Sequence, residues 1–381
     1  MKNKILFTVI AFSISVFAGK PVNDSLVNAG IRQIYNLQFK TAETTFAEVI
    51  KQNPKSPIGY FFDAMVIWWK ISLDMENERY DDIFYDKLET AIDVCDEILD
   101  KKPNDADALF FKGGSLGFRG RLKSVREEWF GAVLDGKDAL PLVHKVYAAD
   151  STNIDVQLGF GIYNYYAAAV PEKYPLVKPF MAVFPGGNKA KGIRQLEYVA
   201  NRGKYAKYES QFFLLTLFYG FEDDNLQALK YAEMLFNEFP GNSLFERYIG
   251  RIQFRLGNKD VSATVFKSIY EKAVSKKNGY NKNSLREASY YVGLDFIKLQ
   301  PAKAIEYFEE CVKISKELDN DEESGFLINA TLYLARLYKN DKNYKKAVDY
   351  YESVLDYRDY RDSHKSAETE LTQLEKLIKK K

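Results

Sequence analysis

The sequence predicts an all-α protein built from repeated helix-turn-helix units. Small side chains followed by an aromatic or large apolar residue recur in the same phase along most of the 381 residues. Prolines end several of these units, and an amphipathic segment follows the last one. Because one helix pair cannot bury its own apolar face, such units are stable only when neighbouring pairs stack. Together these observations predict a stacked helical array with a polar helix at its end.

The first unit shows the physical reason for the residue types. Between Asn23 and Pro54, the small residues Gly30 and Ala42 precede the aromatic Phe46. Small side chains let two helices approach closely, and the aromatic ring fills the groove beside them. The segment is therefore predicted to form two antiparallel helices that end at the proline.

The same phase returns along the chain, twice with insertions, and predicts about eight helix pairs. Its further positions are Ala91, Cys95, Ile98 and Pro103; Gly113, Val125, Trp129 and Ala132; Gly192, Leu196 and Val199; Thr216, Ala228, Ala232, Leu235 and Pro240; Gly250, Ser262, Phe266 and Ile269; Ala304, Phe308 and Cys311; and Ala335, Ala347, Tyr351 and Val354. This pattern resembles the tetratricopeptide repeat, and the resemblance covers most of residues 23–357. It implies a right-handed superhelical solenoid.

The two ends of the chain are predicted to differ from the array at 19–362. Lys2 and Lys4 precede an uncharged apolar run at 5–17 and a small residue, Ala18, which is the pattern of a signal peptide over 1–18. An exported protein, periplasmic, envelope-associated or secreted, is therefore expected; a buried first helix is the alternative. At the other end, Ala367, Leu371, Leu374 and Ile378 form one stripe of a predicted capping helix over 363–381.

Three stretches interrupt the period: an acidic link at 73–84, a proline-rich insert at 169–188 and a linker at 275–284. The insert contains Pro171, Pro175, Pro179 and Pro185, a density that predicts no regular helix. Its apolar residues are Leu176, Val177, Phe180, Met181, Val183 and Phe184. They are interpreted either as a structural elbow between two half-arrays, the favoured alternative, or as a lid over the concave face.

Composition and motifs argue against catalysis. The 54 basic and 53 acidic residues nearly balance, so no overall field attracts nucleic acid. The two histidines and two cysteines are scattered singly, so neither a metal site nor a cofactor is expected. The G-x-S-x-G string at 113–117 lies inside a predicted helix, where a nucleophile elbow is not formed. The glycine turn before Asn188 and Lys189 is interpreted as a helix start and not as an anion site.

Local charge is uneven in spite of the overall balance. Residues 71–107 are rich in acids, whereas residues 173–207 are rich in bases. This contrast either orients a charged partner or pairs one turn of the array with another. Both alternatives remain open at the level of sequence.

The family resemblance implies a concave groove lined by the first helix of each pair. Its aromatic half would consist of Phe110, Phe118, Phe160, Tyr163, Asn164, Phe213 and Phe221. Its basic half would consist of Arg247, Arg251 and Arg255, followed by Arg336, Lys339 and Asn340. Arginines spaced by four lie on one helix face and suit a carboxylate; a solvated face with Glu246 and Asp260 as partners is the alternative.

These observations predict a non-catalytic extracytoplasmic scaffold or adaptor. Its partner would be a protein or peptide segment that is acidic or ends in a C-terminal carboxylate. The alternative is a small-molecule, glycan or lipid binder with a pocket near residues 155–190, which a closed apolar cavity beneath the insert would favour.

Overall fold

A computed structural model describes residues 23–181, 185–320 and 322–379 of the chain. Within these residues the regular structure is helical, which confirms the predicted all-α repeat solenoid. The predicted signal peptide lies outside the described residues. Eight helix pairs follow one another, and the fourth pair contains an insert.

The first four pairs are α1 (Asp24–Tyr35) and α2 (Phe39–Gln52); α3 (Pro57–Ser72) and α4 (Asp81–Leu99); α5 (Ala106–Val125) and α6 (Trp129–Ala149); and α7 (Val156–Lys173) and α9 (Lys189–Arg202), with α8 (Lys178–Met181) between the last two. The other four pairs are α10 (Lys207–Gly220) and α11 (Asn225–Glu238); α12 (Ser243–Arg255) and α13 (Lys259–Val274); α14 (Lys282–Leu299) and α15 (Pro301–Leu318); and α16 (Gly325–Asn340) and α17 (Tyr344–Asp356). A last helix, α18 (Ser363–Lys379), packs against α17.

Short polar side chains determine where many of these helices begin. Each accepts a hydrogen bond from a backbone N–H of the first turn, which otherwise has no partner within the helix. The residues that cap helices in this way are Asn23, Asp105, Asn188, Asp224, Asn242, Asn281, Ser324 and Asn343. The boundaries of the repeats are thus set largely by local chemistry.

Close contact between glycine and an aromatic ring holds the two helices of a pair together. A Cβ atom added at Gly30 would lie 2.4 Å from the ring of Phe46, and one added at Gly250 would lie 2.6 Å from the ring of Phe266. Both rings are fully buried. The recurrent small residue is therefore required by the distance between the helices.

The insert in the fourth pair is more helical than its prolines predict. Helix α7 continues through Pro171 to Lys173, and a 3-10 turn (Pro175–Val177) then leads into α8. A proline in the last turn of a helix removes one hydrogen bond without stopping the preceding turns. The prediction that no regular helix survives here is wrong for this reason. Val183 and Phe184 lie outside the described residues.

The array bends until its first pair contacts its fifth and sixth pairs. The Tyr35 hydroxyl donates to the carboxylate of Glu209 at 2.9 Å, and the Asn242 amide donates to the carbonyl of Tyr35 at 2.8 Å. Arg32 forms an ion pair with Glu238. These partners are roughly two hundred residues apart in sequence, so the concave side of this part of the array is closed by the chain itself.

Two helices whose residues are mostly buried, α3 and α10, occupy the middle of the closed region. The ring of Trp69 lies 5.2 Å from that of Phe212 and 5.7 Å from that of Phe245. The neighbouring Trp68 contacts Phe118 at 5.4 Å. Apolar side chains on several faces of a helix must be covered on several sides, and the bend of the array provides that burial.

The described helices include none that is long and apolar enough to cross a membrane. Cys95 and Cys311 are both buried, unpaired thiols. Burial raises the pKa of each thiol to about 12. Both cysteines therefore act as small apolar core residues.

The close contact at Gly250 predicts opposite effects of the same substitution at two helical glycines. Gly250→Ala forces a methyl group against the buried Phe266 ring and is expected to lower the free energy of unfolding by about 1–3 kcal/mol. At Gly117 an added Cβ meets nothing within 4 Å, so Gly117→Ala is expected to raise the free energy of unfolding by up to about 1 kcal/mol. Urea denaturation of both variants measures this difference; equal effects would contradict the packing model.

Candidate functional site

The predicted arginine stripe on α12 is mostly an internal ion-pair cluster. Nε of Arg247 and Nη2 of Arg251 donate to Oε2 of Glu287 at 2.6 and 2.5 Å. Glu287 lies on α14 and is 0% exposed. The expectation of three arginines open to a partner is therefore corrected, because a carboxylate of the same chain already occupies two of them.

Electrostatics in this cluster favour the charged pair. Burial alone would raise the pKa of Glu287, but the charges and hydrogen bonds of Arg251 and Arg247 outweigh it and hold that pKa below the usual 4.5. A buried carboxylate is tolerated only when it is paired in this way. The cluster therefore joins α12 to α14.

Arg255, the third member of the stripe, is more accessible, and its side chain is 40% exposed. Its Nη1 donates to the carbonyl of Tyr219 at 2.8 Å, and its guanidinium carbon lies 3.7 Å from the centre of the Tyr219 ring. The nearest carboxylate, on the exposed Asp223, is 3.6 Å away. Arg255 is thus positioned by an aromatic face and retains donors for a ligand.

A second cation lies over a second ring beside it. The ammonium group of Lys173, at the end of α7, lies 4.5 Å from the centre of the Phe221 ring and donates to the carbonyl of Gly220. Such cation–π contacts fix the position of a charged group without neutralising it. Lys173 and Arg255 therefore present two positive charges to the same space.

That space is an open cleft of about 600 Å³, which we call the α10–α12 cleft. Its walls are Lys173, Tyr219, Gly220, Phe221, Asp223, Asn225 and Arg255. Burial raises the pKa of the Tyr219 hydroxyl, which keeps it a neutral donor. Two cations and two aromatic rings form a site suited to a carboxylate attached to an apolar group.

The aromatic half of the predicted groove is largely internal. Phe213 is buried beneath the guanidinium of Arg121, which lies 4.3 Å from its ring centre and pairs with Glu209 at 3.0 Å. Phe118 packs on Trp68, as described above, and the ring of Phe110 lies 5.2 Å from that of the buried Phe111. Of the seven predicted aromatic-half residues, only Phe221 lines the α10–α12 cleft.

The three predicted residues on α7 contact neighbouring segments of the chain. Phe160 packs edge-on against His144 at 5.0 Å. The Tyr163 hydroxyl donates to the carbonyl of Pro185. Asn164 is buried, and its amide donates to Oε1 of Gln195 at 2.8 Å. These contacts hold the insert and α9 against α7.

The predicted basic residues on α16 lie away from the cleft. Arg336 donates to both carboxylate oxygens of Glu370 on α18, at distances of 2.6 to 3.1 Å. Lys339 is half-buried and Asn340 is exposed near the end of the same helix. Arg336 thus connects the last repeat to the final helix.

Two sequence interpretations concern residues near these helices. Glu246 is not the solvated partner of the arginines, because it is buried and accepts hydrogen bonds from the Tyr280 hydroxyl at 2.5 Å and from Lys272 at 2.6 Å.

Ser115 of the G-x-S-x-G string is fully buried inside α5. In the described part of the chain, no group of three or more His, Cys, Asp or Glu side chains could hold a metal ion.

Sequence reasoning missed three residues that define the site: Lys173, Tyr219 and Glu287. Lys173 is the first base of the base-rich stretch at 173–207, which was the one available signal. Glu287 is forty positions after Arg247, and no periodicity relates them. Their contacts arise only from the stacking of consecutive pairs.

Removing the carboxylate of the buried cluster should destabilise the protein strongly. Glu287→Gln leaves Arg247 and Arg251 buried without a counter-ion and is expected to cost about 3–5 kcal/mol of unfolding free energy. Because the folded pKa of Glu287 is lowered, its stabilising effect is present above about pH 4.5 and is lost as the pH falls further. Chemical denaturation of both proteins from pH 7 to pH 3 should show the difference shrinking. An equal difference at all pH values would contradict this account, and Glu317→Gln, in an exposed ion pair, is the control.

Comparison with known proteins identifies one repeat by sequence. Residues 329–358, which span most of α16 and α17, match the family model described as tetratricopeptide repeat. No curated protein sequence matches the chain.

Several solved structures are similar to this chain. The C-terminal part of a TPR repeat-containing protein from Cytophaga hutchinsonii is 13% identical, with coverage of 80% of this chain and 98% of that chain and a TM-score of 0.36. A tetratricopeptide repeat protein from Parabacteroides merdae is 10% identical, with coverage of 83% and 98% and a TM-score of 0.35. Human IFIT1, solved as a dimer with m7Gppp-AAAA, is 14% identical, with coverage of 84% and 67% and a TM-score of 0.41. One segment of the chain, residues 329–358, therefore matches a tetratricopeptide repeat by sequence, and it lies within an array of stacked helix pairs.

Proposed function

We propose that this protein is a non-catalytic scaffold that binds a segment of another protein in the α10–α12 cleft. The observation that carries the proposal is the pair of cations, Lys173 and Arg255, held over aromatic rings in an open cleft. Among the residues that the structure describes, neither cation has a buried counter-ion, in contrast to Arg247 and Arg251 beside them. The positive charge of the cleft is therefore available to a ligand, whereas the buried arginines of the array are already neutralised by an acid.

The chemistry of the cleft favours an acidic segment or a C-terminal carboxylate. A guanidinium donates paired hydrogen bonds to a carboxylate, and a lysine adds a second charge-assisted contact. The rings of Tyr219 and Phe221 supply an apolar floor for the atoms next to that carboxylate. The cleft is open and mostly lined by polar or charged residues, which favours a peptide over an enclosed apolar ligand at this site.

Extracytoplasmic location belongs to the same proposal and rests on the sequence pattern of residues 1–18. Export would place the array where envelope or secreted proteins are its partners. We expect the protein isolated from its native envelope to begin at Gly19, because the small residue Ala18 follows the apolar run. N-terminal sequencing or intact mass measurement checks this. A chain that still begins at Met1 would instead support the alternative of a retained first helix.

The cleft proposal predicts which peptides the protein selects. Display of a random peptide library should enrich sequences with a carboxylate beside an aromatic or aliphatic residue. Binding of a selected, labelled peptide should weaken at least tenfold in the Lys173→Ala/Arg255→Ala variant, because about 1.5–3 kcal/mol is typical of one charge-assisted hydrogen bond.

The matched control is Lys40→Ala/Lys55→Ala, which removes two exposed cations from the first helix pairs. It should leave the dissociation constant unchanged. Enrichment of basic or purely apolar peptides, or equal losses in both double variants, would refute the assignment of the cleft.

A further inference from the structure

The α10–α12 cleft contains a carboxylate beside its cations. Asp223, in the loop between α10 and α11, is one of the residues that line the cleft, and its side chain is 83% exposed. Its Oδ1 lies 3.6 Å from Nη1 of Arg255, which is too long for a hydrogen bond, and 3.4 Å from Nδ2 of Asn225. An exposed carboxylate with such long contacts can still accept hydrogen bonds from a ligand.

The acids on either side of Asp223 are used by the chain itself. Glu222 accepts a hydrogen bond from the Tyr165 hydroxyl at 2.6 Å and pairs with Lys189 at 3.4 Å. Asp224 caps the start of α11. Of the three consecutive acids in this loop, Asp223 is therefore the one whose charge is available in the cleft.

The backbone fixes the position of Asp223. The N–H of Glu222 donates to the carbonyl of Leu217, and the N–H of Asp224 donates to the carbonyl of Phe218, both at 3.0 Å. Between these two bonds Asp223 has a φ of 52°, in the left-handed region that aspartate and asparagine adopt more readily than other side chains. The carboxylate is thus carried by a loop that is held against the end of α10.

Positive and negative charges consequently lie side by side in the cleft. A ligand carboxylate that pairs with Arg255 comes within a few ångströms of Asp223, because these two side chains are themselves that close. Charges at such separations interact appreciably even near water. A second acid next to the first in the ligand is therefore repelled by Asp223, whereas a base in the same place is attracted.

We propose that the α10–α12 cleft selects a segment in which a basic residue stands next to the carboxylate, and that Asp223 sets this preference. The ligand carboxylate pairs with Arg255 and Lys173, the apolar group beside it lies on the aromatic rings, and the base pairs with Asp223. This inference rests on the proposed function. It narrows the acidic segment to one in which acid and base alternate, and it disfavours a run of acids.

The experiment compares three short acetylated peptides by isothermal titration calorimetry with the full chain. Each ends in phenylalanine with a free carboxylate, and the residue before it is lysine, glutamine or glutamate; the other positions are glycine and serine. The lysine peptide is expected to bind about fivefold more tightly than the glutamate peptide, the size expected when an attraction between exposed charges replaces a repulsion. The glutamine peptide should lie between them, and high salt should reduce the difference.

One variant isolates the contribution of Asp223. Asp223→Asn removes the charge and tolerates the same left-handed backbone. The lysine and glutamate peptides should then bind within about twofold of each other, because neither the attraction nor the repulsion remains. Continued binding of the glutamine peptide shows that the site is intact. The matched control is Asp341→Asn, at an exposed acid after α16, which should keep the preference of the wild-type chain.

Equal binding of the lysine and glutamate peptides to the wild-type chain would overturn the inference, as would a preference that survives in Asp223→Asn. The glutamine peptide with a C-terminal amide, which carries no carboxylate, separates this inference from the proposed function. If that amide binds as tightly as the free acid, the cleft does not recognise a carboxylate and both fail. If the carboxylate is required but the neighbouring residue has no effect, the inference alone fails.

Discussion

The contact between the first helix pair and the fifth and sixth pairs determines much of the rest of this molecule. Tyr35 takes part in it twice, as a hydroxyl donor to Glu209 and as a carbonyl acceptor from Asn242. The contact closes the array upon itself, so that most residues of α3 and α10 are buried. An open array would have a groove between its repeats. In this region a continuous core fills that space.

Closure also determines how charges are distributed. An unpaired charge is expensive to bury, so each interior cation has an acid of the same chain beside it. Glu287 serves Arg247 and Arg251, and Glu209 serves Arg121. Cations without a buried acid beside them are found where the array is open. Lys173 and Arg255 line the α10–α12 cleft.

The α10–α12 cleft is the open surface on which the proposed function rests. The α10–α12 cleft is a concave site with fixed cations, suited to an extended acidic segment.

The sequence by itself determined the helices, their pairing and the all-α class, because helical periodicity, capping residues and glycine–aromatic contacts are local. Gly30 with Phe46 and Gly250 with Phe266 are read directly from their spacing. Which faces remain open was decided only by the tertiary structure. Arg247, Arg251 and Arg255 are equivalent in sequence, yet two are paired with Glu287 and one lines a cleft. The physical reason is that exposure depends on contacts between distant repeats, and no local pattern records them.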